Sequence, residues 1–292
     1  MILVAGATGV LGSEIVRQLR ARGEQVRALV RATSAPEKLA RLQGQGVETV
    51  QGNVRDRRSL DRACQGADVV ISTVSITFSA QPDDSIDGTD GAGNVALVDA
   101  AKAAGVKQFI FVSFDTTAAP DAPLVRAKRS VQDRLIESGL AYTILQPSLF
   151  MESWLSPMLF ADPAAGTAKR YGDGVRVVSY VAMRDVAELA VRCVRNPSAY
   201  NRTIRFGSEE MSQNDALRVF EEVFAKPFNV TEMPEPALDA QWQAATDPMG
   251  KSFAALMLGI ARGMIRGTPP AATEFPIAWT TVRQWVGRRR SG

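Results

Sequence analysis

A chain of 292 residues with 46% hydrophobic and 22% charged residues is an ordinary globular composition, long enough for one large domain or a domain with an appendage. It contains no histidine, so it builds neither a Ser-His-Asp triad nor a histidine-based zinc site, and proton transfer is left to Lys, Tyr, Asp, Glu, Cys or water. The formal charge is only +3, and the one basic run, Arg288 to Arg290, reads as a solvated tail before a nucleic-acid contact; no nucleic acid is expected.

The first predicted strand runs from Ile2 to Ala5 and passes directly into Gly6, Gly9 and Gly12, then into a helix from about Val10 with Ile15, Val16 and Leu19 on its apolar stripe. Strand, glycine turn and helix in that order form a cradle for a dinucleotide pyrophosphate. The first glycine permits the tight turn, the second lets backbone approach the phosphates, and the third lets the helix pack on the sheet. The N–H groups at the start of the helix and its positive dipole end then face the anion, which places Thr8, Val10 and Leu11 beside the glycines as contacts. Because this strand starts at residue 2, no leader is expected ahead of the fold and a cytoplasmic location follows.

Further along, Val26 to Val30 is a second strand, Ala35 to Leu42 a helix and Val47 to Val50 a third strand. Val69 to Ile71 is a fourth strand, Gly91 to Ala104 a helix closed by Gly105, and Phe109 to Val112 a fifth strand. A helix from Leu124 to Glu137, closed by Gly139, and a sixth strand from Tyr142 to Leu145 complete the rhythm. Strands and helices alternating in this way predict an α/β fold with a doubly wound, parallel, Rossmann-type sheet, whose ligands sit beyond the carboxyl ends of the strands. Beyond Pro147 prolines interrupt the pattern, a strand follows near Arg176 to Ser179, Asp185 opens a helix, Thr203 to Phe206 is a strand, and Ser212 caps a helix from Gln213 to Phe224. The expected organisation is a dinucleotide-binding domain over 1–148 and a smaller substrate-side lobe over 149–292, interleaved with the first through the Asp185 helix. The apolar stretch from Phe253 to Ile265, broken by Arg262, is too short to span a bilayer. Cys64 and Cys193 fall in helices among apolar neighbours and read as buried small hydrophobes.

At the end of the second strand an NAD-selective site carries a carboxylate, but this chain has Arg31. A guanidinium there meets a 2′-phosphate, with Lys38 as a second charge, so NADP(H) is expected in preference to NAD(H); the alternative is a plain surface arginine. Asn53 and Val54, after the third strand, are placed for the adenine edge, and Asp56 is either a ligand contact or a helix cap. Thr73, Val74 and Ser75 at the end of the fourth strand, Phe78, Pro147 and Ser148 after the sixth, and Phe150, Met151 and Trp154 supply a candidate acceptor pocket, with Phe78, Phe150 and Met151 as the substrate-facing set and Thr73, Val74 and Pro147, together with Ser113, expected to contact the cofactor; core packing is the alternative for the apolar Phe150, Met151 and Trp154.

The Gly6-Ala7-Thr8-Gly9-Val10-Leu11-Gly12 turn, the VRALVR strand, the AAKAAGVKQFIFVS passage and SGLAYTILQPSLFMES resemble the atypical short-chain dehydrogenase/reductases, and within them the NmrA-like group. The likeness extends through VAMRDVAELAV and GSEEMSQNDAL. The resemblance implies a catalytic Ser near the fifth strand and a Tyr-x-x-x-Lys on the next helix. Ser113 and Lys128 match, whereas Leu124 stands at the Tyr position and cannot donate a proton to a carbonyl. It therefore implies either of two activities. One is NADPH-dependent reduction of a small planar acceptor such as a quinone or enone, with Lys128 as the catalytic residue that contacts the nicotinamide ribose and stabilises developing charge. The other is a non-catalytic, dinucleotide-sensing regulator acting through a protein partner. The bland reading of Lys128 is a solvated residue between Arg126 and Arg129.

Overall fold

The computed structural model describes residues 1–77, 81–115, 117, 119, 121–270 and 273–290. In chain order the elements are β1 (Ile2–Ala5), α1 (Val10–Ala21), β2 (Val26–Val30), α2 (Pro36–Gly44), β3 (Glu48–Gln51), α3 (Arg57–Cys64) and β4 (Val69–Ser72). A π-helical segment (Ile86–Gly93) then runs straight into α4 (Asn94–Ala103), followed by β5 (Gln108–Val112), α5 (Pro123–Glu137) and β6 (Ala141–Pro147). The remainder comprises β7 (Leu149–Phe150), α6 (Met151–Trp154), β8 (Ala161–Asp162), β9 (Thr167–Tyr171), β10 (Val177–Val181), α7 (Met183–Cys193), β11 (Arg202–Phe206) and β12 (Glu209–Ser212). It closes with α8 (Gln213–Phe224), β13 (Asn229–Met233), α9 (Glu235–Ala244), α10 (Pro248–Ala261) and α11 (Val282–Arg290).

Contacts divide the chain into two units. The first holds residues 1–113, 123–146 and 186–204, and the second 114–122, 147–185 and 205–292. The chain crosses between the units five times, after residues 113, 122, 146, 185 and 204, and most of α7 is counted in the first unit.

In the first unit a seven-stranded sheet has the order β11-β6-β5-β4-β1-β2-β3, and the pairs from β3 through β6 are parallel. The strands are apolar on both faces because helices cover both: β1, β4 and β5 are buried at every position. Leu3, Val70, Phe109, Phe111, Leu97, Val131 and Ile144 form part of that core. The order reverses between β1 and β4, and in doubly wound sheets the crevice beyond the carboxyl ends of the strands at such a switch point is where ligands bind. Cys64 and Cys193 are buried free thiols, and burial pushes each up to about 12.

The second unit carries two three-stranded sheets, β12-β10-β7 and β13-β9-β8. Its core gathers Phe160, Tyr180, Phe220, Phe228, Leu258 and Trp285. The Arg288 to Arg290 run is exposed, as a solvated stretch is expected to be, but it forms the last turn of α11, where Arg289 stacks on Trp285 at 4.1 Å and Arg290 donates to the Val223 carbonyl. The stretch from Phe253 lies in α10, whose residues Ala254, Ala255, Leu258 and Ile260 are buried. Among the described residues no helix is long and apolar enough to cross a membrane.

Candidate functional site

Within the first unit, a cleft partly open to solvent lies over the switch point. Gly6, Thr8 and Gly9 come to it from the turn after β1, and Leu29 and Arg31 from the end of β2. Gly52, Asn53 and Val54 follow β3, Thr73 to Ile76 follow β4, and Asp84 and Thr89 lie in and before the π-helical segment.

The three glycines do different work. Gly6 has φ +84°, and its N–H-to-carbonyl turn is closed by Gly9 donating to the Gly6 carbonyl at 3.0 Å. A Cβ on Gly12 would sit 2.1 Å from the Gly6 carbonyl oxygen, so only glycine lets α1 pack this close to the strand. Gly9 is different: a Cβ there meets only the Gly6 oxygen, at 3.3 Å, and its residue is exposed to the cleft. Gly9 also caps α1 with no side-chain bond, and the first turn carries no acidic residue. The first intrahelical bond runs from the Ser13 N–H to the Gly9 carbonyl at 2.9 Å, which leaves the N–H groups of Val10, Leu11 and Gly12 without helical acceptors. An anion is the natural partner for such an end. The residues present therefore fit a dinucleotide pyrophosphate.

Eight of the expected cofactor residues line the cleft: Gly6, Thr8, Gly9, Arg31, Asn53, Val54, Thr73 and Val74. Lys38 is exposed on α2 and is not among the lining residues. Asn53 is tied into its own loop, its N–H donating to Ser59 Oγ and its Oδ1 accepting from the Arg55 N–H. Asp56 resolves as a helix cap, accepting from the Arg58 N–H at 3.1 Å. Arg31 is not a plain surface arginine. Its Nη1 donates to Asp84 Oδ2 at 2.7 Å, and Asp84 also accepts from the Gln81 N–H at 2.9 Å and from Thr89 Oγ1 at 3.1 Å. Burial raises the Asp84 carboxyl, but these donors outweigh it and hold the group below the usual carboxylate range.

Lys128 is not solvated either. It is 3% exposed, its Nζ donates to the Val74 carbonyl at 3.0 Å and lies 5.3 Å from the Phe111 ring centroid. The same Nζ is 3.1 Å from Asp90 Oδ1, close enough for an ion pair though the angle is outside that of a hydrogen bond. Asp90 Oδ2 accepts from the Ile76 N–H, so lysine and aspartate grip the Val74 to Ile76 loop from opposite chemical sides. Asn94, one helical turn on, accepts from Ser72 Oγ at 2.6 Å and donates to the Val74, Thr89 and Asp90 carbonyls. The π-helical segment reaches α5 closely enough for this pairing because Gly91 rests against Ala127; a Cβ on Gly91 would lie 3.5 Å from that of Ala127. Ser113 Oγ accepts from Gln132 Nε2 at 2.8 Å, and Gln132 Oε1 accepts from Gln146 Nε2 at 3.0 Å. Leu124 is buried on α5.

The expected acceptor residues fare differently. Phe78 lies outside the described residues. Pro147 ends β6, and Phe150, half-buried, pairs with Val181 within the second unit. Met151 has no exposed surface and belongs to the core cluster with Leu149, Leu155 and Phe160, so its expected role as a substrate-facing residue gives way to packing. Asp84, Thr89, Asp90, Asn94, Gln132 and Gln146 were not expected from sequence. For Asp84, Thr89, Asp90 and Asn94 the one signal is the polar, glycine-rich run leading into α4, which does not reveal its partners; for Gln132 in α5 and Gln146 in β6 the sequence carries none.

The model of the NmrA-like family matches residues 1–259. The chain is 35% identical over 208 residues to the NAD(P)H azoreductase of Xenophilus azovorans, covering 69% of this chain and 66%, just under two thirds, of that protein. It is 31% identical over 242 residues to the photosystem II assembly factor Ycf39 of Synechocystis sp., covering 81% of this chain and 72% of the factor. Among solved structures, the NADPH-dependent quinone oxidoreductase of Escherichia coli complexed with NADPH superimposes with a TM-score of 0.80 at 22% identity, covering 99% of this chain and 100% of that one, a likeness of fold.

Proposed function

The chain belongs to the NmrA-like family, and on that premise we propose that it is an NADP(H)-binding reductase of a small planar acceptor such as a quinone or an enone. The observation that carries the proposal is the uncapped start of α1 over Gly6 and Gly9, facing a cleft whose far side holds Arg31. The N–H groups of Val10 to Gly12 hold the pyrophosphate, and Arg31 takes the 2′-phosphate through charge-assisted hydrogen bonds. When bound, the reduced dinucleotide supplies the hydride. Lys128 does not itself line the cleft; it donates to the carbonyl of Val74, which does, and in this reading its ammonium, paired with Asp90, stabilises negative charge developing on the acceptor from behind that wall. An electrophilic acceptor needs no tyrosine acid, which accords with Leu124 in that place.

A second reading is favoured by the same Leu124 and by the similarity to an assembly factor: a dinucleotide-responsive protein that acts by binding a partner. One experiment separates them. NADPH and NADH are titrated against wild type and Arg31→Gln by nicotinamide fluorescence, and acceptors are then screened with wild type beside the Asp90→Asn/Lys128→Met double variant, which leaves no lone buried charge. The reductase reading expects NADPH binding that weakens in Arg31→Gln, and turnover that falls in the double variant with cofactor affinity retained. Binding without turnover of any quinone, enone or azo acceptor rejects it in favour of the partner-binding reading, and binding of neither nucleotide rejects both.

A further inference from the structure

Resting on the dinucleotide reading, we propose that Asp84 is a specificity-determining residue: its carboxylate, fixed against the Arg31 guanidinium, cancels much of the charge that selects a 2′-phosphate, so that the cleft accepts NADH as well as NADPH. An NAD-selective site has a carboxylate at the end of the second strand, and here that place belongs to Arg31. The fold returns a carboxylate to it from Asp84, 2.7 Å from Arg31 Nη1.

The pair is asymmetric. The Asp84 side chain is 3% exposed and that of Arg31 32%. Asp84 is pinned by the Gln81 N–H and the Thr89 hydroxyl as well as by Arg31, so it does not swing aside when an anion approaches. Among the described residues Nε and Nη2 of Arg31 meet no protein acceptor, which leaves one edge of the guanidinium for a ligand. A phosphate docked on that edge feels the guanidinium and the fixed carboxylate together, and the attraction left is that of oriented hydrogen bonds with little net charge behind them. The same carboxylate serves the other nucleotide. Among the described residues Oδ1 accepts only from Thr89, so it retains a lone pair for a ribose 2′-hydroxyl.

The test compares affinities of wild type, Asp84→Asn and Arg31→Gln for NADPH and NADH by fluorescence titration. Adenosine 2′,5′-bisphosphate and 5′-AMP serve as fragments that isolate the 2′-phosphate, and melting curves verify folding. Asp84→Asn is expected to raise the NADPH-to-NADH affinity ratio about tenfold, the scale of one charge-assisted interaction at a partly exposed site. Arg31→Gln, which keeps the carboxylate, is expected to invert the ratio toward NADH. An unchanged or lower ratio in folded Asp84→Asn overturns the proposal, because Asp84 would then only brace Arg31; Asp84→Ser repeats the reading if the asparagine variant folds poorly. Wild type gives an answer without any substitution: a bisphosphate-to-5′-AMP ratio above about 100-fold, the range of an uncompensated bidentate arginine, also overturns it. Binding of neither nucleotide to wild type is a separate result that removes the dinucleotide reading itself.

Discussion

Lys128 Nζ and Asp90 Oδ1 face each other at 3.1 Å with side chains 4% and 0% exposed, and each also holds the loop that walls the cleft. A pair this deep adds little net stability over an apolar pair, because both charges have lost their hydration, but removing one partner strands the other. Asp90→Asn or Lys128→Met alone is therefore expected to lower the unfolding free energy by about 3–5 kcal/mol. The Asp90→Asn/Lys128→Met double variant is expected to lose markedly less than the sum. Urea unfolding at neutral pH measures all three, and additive losses would show that the two charges are not coupled.

The two thiols give a simple probe of the first unit. Burial raises Cys64 and Cys193 to about 12, so neither supplies thiolate near neutrality. Iodoacetamide at pH 8 is expected to leave both unmodified in the native protein and to modify both in denaturant. Rapid labelling of either in native buffer would contradict its placement in the core.

The strand, glycine turn and helix at the start of the chain were legible because each depends on neighbours within a dozen residues: apolar β1, the positive φ of Gly6, the buried stripe of Ile15, Val16 and Leu19. The position of Arg31 at the end of β2 was legible for the same reason. Its partner was not, since Asp84 lies 53 residues away and reaches Arg31 only through the loop before the π-helical segment. Lys128 stands out by its match to the family's lysine, with a solvated helix residue as the alternative, but its burial against Asp90 depends on the close approach of Gly91 to Ala127, which the sequence does not show. Helix α3 is legible only at its ends, Asp56 as a possible cap and Cys64 as a helical residue, because its polar composition hides the buried side formed by Leu60, Ala63 and Cys64. Short strands β7, β8 and β12 carry too few residues for alternation to register.

Glu152 makes a pH-dependent prediction for the second unit. Burial raises its carboxyl, and the Met183 N–H at 3.0 Å and Trp285 Nε1 at 3.2 Å only partly offset that. A carboxyl whose folded pKa exceeds its unfolded one releases its proton first in the unfolded chain. Stability is therefore full below the unfolded pKa, about 4.3 for glutamate, and declines as pH rises through the folded value. Glu152→Gln removes that titration. The stability of the variant relative to wild type is expected to rise with pH across that window and level off above it, followed by urea unfolding at stepped pH; a difference that falls with pH would mean the carboxylate is favoured in the fold.

Gly12 and Gly9 separate the scaffolding and ligand-facing roles of the cradle. A methyl group at Gly12 meets the Gly6 carbonyl at 2.1 Å for oxygen and 2.7 Å for carbon, and neither atom belongs to a side chain that can rotate away. The helix must retreat from β1, so Gly12→Ala is expected to lower stability by about 1–3 kcal/mol or more and to weaken dinucleotide binding as a consequence. At Gly9 φ is −79°, which alanine adopts freely, and the added methyl meets one oxygen at 3.3 Å. Gly9→Ala is therefore expected to keep its melting temperature within a few degrees of wild type, a shift of about 1 kcal/mol or less, while binding of NADPH weakens because the methyl occupies the approach of the pyrophosphate. Paired melting curves and fluorescence titrations decide the matter: equal loss of stability in both variants would mean that the two glycines serve the same packing role, and full NADPH affinity in Gly9→Ala would place the phosphates away from this turn.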